Sequence, residues 1–185
     1  MTLRHLMACM AMLALASCSA PGANLTPLQE SVAGRYRLDS GDQLRVSVFS
    51  LPDLPANYTI NDSGWISMPL VGAIPARGKT TDELEDTIEA ELTKGLVRNP
   101  SVSVQVEKFR PFYILGEVKS PGQYPYVPGI TVLSAVSIAG GYTFRAETDY
   151  VSITRRKDDG AVEGRAPREA LVLPGDTIYV FERWF

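Results

Sequence analysis

Residues 113–142 read YILGEVKSPGQYPYVPGITVLSAVSIAGGY, and the order of signals in this stretch decides the fold of the second half of the chain. The apolar run 113–115 is followed by Ser120-Pro121-Gly122, in which proline presets one backbone torsion and glycine accepts a positive one. Residues 123–127 then return with aromatic and β-branched side chains, which favour strands. The pattern predicts a β-hairpin.

A short helix is predicted after this hairpin. Pro128-Gly129 breaks the chain, and Thr131 is a good N-cap for a helix over 132–139. Gly140-Gly141 suits the end of that helix, because glycine adopts the left-handed conformation past a helix terminus. Hairpin, helix and double glycine together predict a compact mixed α+β unit.

The composition excludes several classes of function. The 185 residues, 45% of them hydrophobic, suffice for one domain or two small ones. The formal net charge of -3 gives no basic field for nucleic acid. His5, Cys9 and Cys18 are the histidine and cysteines of the chain, all near its start. If residues 1–17 are a removed leader, the mature chain has no histidine and a single cysteine, Cys18. Ser-His-Asp and Cys-His catalysis and zinc sites with histidine or cysteine ligands are then excluded, and we expect no catalytic residue, metal or cofactor.

The first residues have the features of a secretory leader. Residues 1–17 contain Arg4 and an apolar run over 6–16, shorter than the roughly 20 residues that span a bilayer. The run ends in Leu-Ala-Ser-Cys, which resembles a bacterial lipobox and predicts cleavage between Ser17 and Cys18 and lipidation of Cys18. The alternative is an ordinary signal peptide with a chance cysteine. Ser19, where enteric inner-membrane lipoproteins carry aspartate, favours the outer membrane, and residues 18–34 are predicted to be a lipidated tether.

A first mixed domain is predicted over 35–108. Residues 43–49 alternate as a strand, and 58–60 and 65–68 flank the turn residues 61–64, which predicts a hairpin. Residues 69–74 are expected to continue as an irregular or edge strand, since proline cannot donate to a ladder.

A helix is predicted to follow these strands. Thr80 and Glu83 form a capping box, and Leu84, Ile88 and Leu92 share one face. The acidic residues elsewhere on this helix are interpreted as a solvated face, with a catalytic pair or a calcium site as the alternative. Residues 101–106 alternate as the next strand.

The far end of the chain repeats a turn from its beginning. Residues 148–155 alternate as a strand, and 155–160 are predicted to be a charged turn, either a solvated hairpin tip or a contact for acidic sugar groups. Gly175-Asp176 before the final strand echoes Gly41-Asp42 before the first. In both places the aspartate is expected to bond nearby backbone amides.

Two sets of motifs carry a family resemblance. G-E-V-x-x-P-G-x-Y with T-x-L-x-A-x-x-x-A-G-G resembles the SLBB (soluble ligand-binding β-grasp) domain of outer-membrane polysaccharide export proteins. RYRLDSGDQLRVSVF, GWISMPLVGAI and N-P-x-V-x-V resemble their polysaccharide export domain. The resemblance implies an α+β protein with an export domain over 35–108 and a β-grasp-like domain over 109–185, in the short lipoprotein subclass. The matching structural motif residues are Gly41, Asp42, Gly64, Pro69, Gly72, Gly116, Pro121, Gly122, Gly140, Gly141, Pro174, Gly175 and Asp176.

The resemblance also implies a function without catalysis. It indicates a lipid-anchored protein of the outer membrane, facing the periplasm, in an exopolysaccharide or capsule export apparatus. Expected partners are other copies of the chain in a ring, an inner-membrane polysaccharide co-polymerase and the exported polysaccharide. A ring needs two complementary patches per subunit, joined head to tail.

Two alternatives remain open at this point. One is a monomeric glycan- or peptidoglycan-binding lipoprotein in which exposed aromatics (Trp65, Tyr124, Tyr126 or Tyr142) stack on sugar rings. The other is a carboxylate glycan hydrolase, which needs two carboxyl groups about 5–10 Å apart across a cleft. Its candidate residues are Asp42, Asp62, Glu117 and Asp176.

Overall fold

The computed structural model describes residues 20–28, 35–49, 51, 53–94, 97–157 and 160–184. Within these residues ten strands and two helices follow one another along the chain. They are β1 (Gln43–Val48), β2 (Asn57–Thr59), β3 (Trp65–Met68), β4 (Gly72–Pro75), α1 (Thr81–Thr93), β5 (Val102–Lys108), β6 (Phe112–Gly116), β7 (Gly122–Tyr124), α2 (Val132–Ile138), β8 (Tyr150–Lys157), β9 (Gly160–Pro167) and β10 (Thr177–Val180).

The first half packs around a three-stranded antiparallel sheet in the order β2-β1-β5. Leu44, Val46 and Val48 of β1 point alternately into the core and are buried, as the period-2 pattern predicts. The same hydrophobic cluster includes Leu84, Ile88 and Leu92 of α1, so the predicted apolar face of the helix is confirmed.

The hairpin predicted across residues 61–64 is wrong in its strand pairing. The turn itself closes, with the Asn61 amide donating to the Trp65 carbonyl at 2.9 Å. However, β2 pairs with β1, and β3 instead pairs with β4 in a separate two-stranded sheet. Tyr58 of β2 and Ile66 of β3 are buried in the same core, although the two strands belong to different sheets. The pairing therefore depends on how the sheets pack together, which the sequence of the turn does not indicate. Residues 69–71, expected in a strand, form the turn into β4.

The acidic residues of α1 are not all solvated. The capping box is present as predicted, with Thr80 accepting from the Glu83 amide. Glu85 accepts a hydrogen bond from the Val104 amide at 2.7 Å, and Glu89 accepts one from the Val102 amide at 2.9 Å. Because β5 is an edge strand, its outward amides need partners, and two helix carboxylates supply them.

The second half packs around a five-stranded mixed sheet in the order β7-β6-β10-β8-β9. The predicted hairpin is confirmed as β6 and β7, although β7 ends at Tyr124 rather than at 127. Strand β10 lies parallel to β6, and α2 buries Val132, Ala135 and Val136 in the same core as Phe112 and Ile178. A hairpin, a helix and a parallel central strand form a β-grasp-like unit, and the fold class is α+β.

The helix α2 is confirmed with its caps. The Thr131 side chain accepts from the Ser134 amide, and Ala139 is the C-cap. Gly140 and Gly141 both have positive φ, at 84° and 91°, so the double glycine reverses the chain as predicted.

The predicted charged turn over 155–160 is wrong at its first residues. Strand β8 continues through residue 157, and Arg155 is buried within it. The reason is a residue far along the chain, because Arg155 forms an ion pair with the almost fully buried Asp176. Residues 158 and 159 lie outside the described part. None of the helices in the described ranges combines the length and apolar composition needed to cross a bilayer.

Candidate functional site: the junction of the two domains

The two Gly-Asp turns noted in the sequence meet where the halves of the chain join. In the first, Gly41 has a φ of 92° and Asp42 is completely buried. The Asp42 carboxylate accepts hydrogen bonds from the Tyr36 hydroxyl (2.6 Å), the Asp39 amide (2.9 Å) and the Arg110 amide (3.0 Å). Asp42 thus stabilises its own turn and also binds the start of the second half.

The second turn repeats this arrangement. Gly175 has a φ of 84°, and Asp176 is almost fully buried. Asp176 accepts from the Leu173 amide at 2.7 Å, and its two carboxylate oxygens accept from Nε and Nη2 of Arg155 at 2.9 and 2.7 Å. The predicted bonding of each aspartate to a nearby backbone amide is confirmed. The bidentate ion pair supplies a charge partner that buried carboxylates require.

Arg110 joins the two turns. Its Nε donates to the Pro174 carbonyl at 3.0 Å, in the second turn. Its Nη1 donates to the Tyr36 hydroxyl at 3.3 Å and lies 3.4 Å from Oδ2 of Asp39, both beside the first turn. One guanidinium therefore contacts residues from both halves of the protein.

The backbone around Arg110 is equally close-packed. The Gly175 amide donates to the Pro111 carbonyl at 3.0 Å, and the Tyr113 amide donates to the Asp176 carbonyl at 2.9 Å. A Cβ on Gly175 would lie 2.6 Å from Nε of Arg110, and the φ of 84° also disfavours other residues. Glycine is therefore required at position 175 both for the turn and for the approach of the arginine.

Aromatic rings extend this contact. Phe109 packs edge-on against Tyr36 of the first half, with ring centroids 5.0 Å apart. It packs in the same way against Tyr126 of the second half at 5.4 Å. Edge-to-face pairs add to the stability obtained from area burial. The junction is consequently a connected cluster and not an open linker.

The side chains of this cluster are suited to connecting the two halves of the chain. Burial, with a further contribution from the hydrogen bond to Asp42, raises the pKa of the Tyr36 phenol well above its ordinary value. Tyr36 therefore stays protonated and acts as a hydrogen-bond donor.

Two cavities lie near these elements. One of about 320 Å³ lies under the N-terminal segment, and another of about 290 Å³ adjoins the junction. The second is lined by Asp39, Ser40, Gly41, Arg110, Pro111, Tyr113, Arg156 and Gly175.

The described part of the N-terminal segment, residues 20–28, packs on the second half. Pro27 forms a parallel bridge to Arg165 of β9. The Arg165 amide donates to the Thr26 carbonyl at 2.9 Å, and the Leu28 amide donates to the Arg165 carbonyl at 2.7 Å. Gly164 permits this approach, since a Cβ there would lie 2.8 Å from Cα of Leu28. Residues expected to form a tether thus extend the edge of the sheet.

The carboxylates considered for a hydrolase do not form an acid-base pair. Asp42 and Asp176 are saturated by the hydrogen bonds above. Asp62 is exposed in the 61–64 turn, and Glu117 accepts from the Thr143 hydroxyl at 2.5 Å. Over the described ranges, no group of three or more histidine, cysteine, aspartate or glutamate residues is arranged to hold a metal ion.

The aromatics considered for sugar stacking are mostly packed. Tyr124 stacks on Phe112 with centroids 6.0 Å apart and donates to the Ser120 carbonyl. Tyr126 and Tyr142 are half-buried against the second core. Trp65 is 41% exposed on β3, so it alone of the four has an open ring.

The other motif glycines and prolines lie in turns and close contacts. A Cβ on Gly116 would lie 2.1 Å from the Val180 carbonyl oxygen, which sets the spacing of β6 and β10. Gly64 is similarly closed off by the side chain of Arg77. Pro69 lies in the β3–β4 turn, and Gly72 begins β4. Pro121 directly precedes β7, which begins at Gly122, and Pro174 lies in the second Gly-Asp turn. Ser17 and Cys18 lie outside the described residues.

Sequence reasoning missed Arg110. A single arginine before a proline, at the boundary predicted between two domains, is a weak signal by itself. The stronger signal was the duplicated Gly-Asp turn, because two buried aspartates require donors from elsewhere in the chain.

Two family models match successive parts of the chain. The family model described as polysaccharide biosynthesis/export protein matches residues 30–107, and the SLBB domain model matches residues 111–166. Arg110 lies in the short interval between them.

Three characterised relatives are similar to the chain. The exopolysaccharide production protein ExoF of Rhizobium meliloti (strain 1021) is 42% identical over 150 residues, covering 74% of this chain and 34% of ExoF. The EPS I polysaccharide export outer membrane protein EpsA of Ralstonia nicotianae is 28% identical over 183 residues, covering 80% of this chain and 48% of EpsA. EpsA of Ralstonia solanacearum gives the same values. The chain thus spans between a third and a half of the length of these relatives.

Proposed function

We propose, from the polysaccharide biosynthesis/export domain and the SLBB domain that follow one another in this chain, that the protein is a component of an exopolysaccharide export apparatus. The observation that carries the proposal is the ordered pair of domains, together with the 42% identity to ExoF across most of the chain. It is a member of the outer-membrane polysaccharide export family in this proposal, and it acts without catalysing a reaction. The saturated carboxylates of the junction support that last point, since they have no free acid or base to offer.

The protein is anchored through a lipid on Cys18 and lies at the outer membrane, facing the periplasm. The lipobox-like sequence supports the anchor, and the name of the relative EpsA, an outer membrane protein, supports the location. Acyl chains contribute about 0.8 kcal/mol per buried CH₂, so a multiply acylated cysteine holds a protein stably. Because residues 20–28 pack on the second half, the anchor leaves the protein from the SLBB domain.

The proposed partners are other copies of the chain, an inner-membrane co-polymerase and the exported polysaccharide. Copies of the chain form a ring through head-to-tail contacts. The polysaccharide export domain of each copy faces away from the anchor, toward an inner-membrane co-polymerase. The exported polysaccharide passes through or along this assembly. The close-packed junction supports the proposal, because a closed ring requires each copy to present its two patches at a fixed angle.

The fate of polymer in a strain that lacks the gene tests the function. We expect polysaccharide to disappear from the medium while precursor or polymer remains with the cells, and wild-type protein to restore release. Cys18→Ser should leave the membrane fraction and restore release poorly. Unchanged release in the deletion strain would contradict the proposal, and full release with a soluble Cys18→Ser protein would contradict the anchor alone.

The glycan-binding alternative retains one observation, the exposed ring of Trp65. If the protein works as a monomeric glycan binder, Trp65→Ala abolishes polysaccharide binding measured by calorimetry while release from cells is unchanged. Our proposal makes a different prediction: deletion of the gene abolishes release of polysaccharide from the cells, whether or not Trp65 binds glycan.

A further inference from the structure

Two strongly exposed aromatic side chains lie close together at one end of the SLBB domain. In the described part of the chain, the large apolar residues with the greatest exposure are Phe144 (87%), Phe49 (75%) and Trp184 (73%). Single exposed apolar residues are common on protein surfaces and need no explanation. Phe144 and Trp184 differ from that case because the fold brings them to the same place.

A short ladder sets their positions. Ala146 and Glu182 form an antiparallel bridge. The Arg183 amide bonds to the Arg145 carbonyl next to this bridge, and Phe144 and Trp184 are the adjacent residues on the two segments, Phe144 within a turn. Both residues therefore lie at the end of the same ladder, on neighbouring segments of the domain.

Basic residues flank the two aromatics. The Arg183 amide donates to the Arg145 carbonyl at 2.7 Å, so these two arginines follow the ladder beside the rings. Arg145 also forms an ion pair with Glu182. Tryptophan with adjacent arginines is typical of surfaces that lie in the headgroup region of a membrane, and phenylalanine is typical of the apolar face that such surfaces bury.

The N-terminal segment reaches this end of the domain. The Tyr150 hydroxyl donates to the Pro21 carbonyl at 2.8 Å, and the Phe181 ring lies so close to Gly22 that a Cβ there would be 2.8 Å from it. Ala20 is two residues after Cys18, which corresponds to a chain length of about 7 Å at most. A lipid on Cys18 would thus enter its membrane next to the ladder that carries Phe144 and Trp184.

We propose that Phe144 and Trp184 insert into the phospholipid leaflet that receives the anchor, so that the SLBB domain meets the membrane in one orientation. This inference rests on the proposed lipid anchor. The occupant of the surface is a lipid bilayer, and the anchor supplies the high local concentration that a weak aromatic contact needs. The two aromatics then act as a second attachment point that stops the domain from turning about its tether.

The two tryptophans of the chain, one in each domain, provide the test. The full-length lipidated protein is reconstituted in vesicles of phosphatidylethanolamine and phosphatidylglycerol with brominated acyl chains, which quench fluorescence only at short range. Trp65→Phe leaves Trp184 as the reporter, and Trp184→Phe leaves Trp65. We expect blue-shifted, quenched emission from Trp184 and unquenched emission from Trp65. Phe144→Ser in the Trp65→Phe protein should reduce the quenching without reducing flotation with the vesicles.

Other outcomes overturn the inference. If the protein floats with the vesicles but Trp184 is unquenched, the anchor stands and the aromatic insertion is wrong. If Trp184 emission is blue-shifted and unquenched, in detergent as well as in vesicles, a protein surface such as a second copy covers it. If the protein does not float, both the anchor and the insertion fail, whereas the export function is still decided by release of polymer from cells.

Discussion

At the scale of single residues, Arg110 and Tyr36 connect parts of the chain that are far apart in sequence. Arg110 reaches Pro174 across 64 positions and Tyr36 across 74. Its side chain is 22% exposed, so solvent screens these contacts only in part. The hydrogen bond from the Arg110 backbone amide to Asp42 does not depend on the Arg110 side chain. Substitution of the side chain therefore tests the contact between the domains without removing the local turn.

Arg110→Ala should lower the free energy of unfolding by about 1.5–3 kcal/mol, since hydrogen bonds to charged groups are worth roughly that much. Urea unfolding followed by circular dichroism measures the change. The control is Arg45→Ala, which removes an exposed ion pair with Glu107 and should cost about 1 kcal/mol or less. An equal loss in the two variants would show that Arg110 is an ordinary surface arginine.

Tyr36 predicts a loss of stability in alkali. Its pKa is raised in the folded protein above the ordinary 10.0, so the unfolded chain releases this proton first. The contribution of Tyr36 is therefore complete below about pH 10 and declines as the pH rises further. Burial also raises the pKa of Tyr58, Tyr126, Tyr142 and Tyr150, so the whole protein should lose stability in the same direction.

Unfolding in urea at several pH values checks this linkage. Tyr36→Phe should reduce the slope of the unfolding free energy against pH above about pH 10, because phenylalanine has no proton to release. The variant is less stable at neutral pH, since Asp42 loses a donor, and the comparison is therefore one of slopes. An identical slope in the variant would contradict the account of Tyr36.

At the scale of elements, α1 and the edge strand β5 depend on each other. Glu85 and Glu89 accept amide hydrogen bonds from β5, while the adjoining face of the helix buries Ile88. Edge strands expose unpaired amides that can recruit other chains, and the two carboxylates cover part of this edge. The helix therefore protects the sheet as well as packing on it.

Glu85→Ala should cost about 1–3 kcal/mol, because the Val104 amide loses its partner in a partly buried position. The matched control is the neighbouring Asp86→Ala, an exposed position on the same helix at which the change should stay within about 0.5 kcal/mol. Chemical denaturation measures both, and light scattering would report added aggregation in Glu85→Ala. A loss no larger than that of Asp86→Ala would mean that water replaces the carboxylate without cost.

The elements also show what the sequence can and cannot predict. The hairpin β6–β7, helix α2 and the capped helix α1 depend on neighbouring residues, and local turn and cap chemistry identified them. The partner of β2 depends on burial across two sheets, and the turn at 61–64 gave no information about it. Arg155 was placed in a charged turn because its partner, Asp176, is 21 positions away. Arg110 and the helix carboxylates were missed for the same reason.

At the scale of the whole molecule, three sets of contacts connect the described parts of the chain. Arg110 joins the two Gly-Asp turns, Phe109 packs on a ring from each half, and residues 20–28 extend the sheet of the SLBB domain. The proposed ring would need each copy to present its two complementary patches at a fixed angle, and these contacts would help to hold that angle.

Native mass spectrometry of the full-length protein, extracted from membranes in mild detergent, tests most directly whether the protein works through assembly. We predict one dominant complex of several identical subunits, and a shift toward smaller species in Arg110→Ala, whose domains no longer hold a fixed angle. A monomer at every concentration would contradict the account.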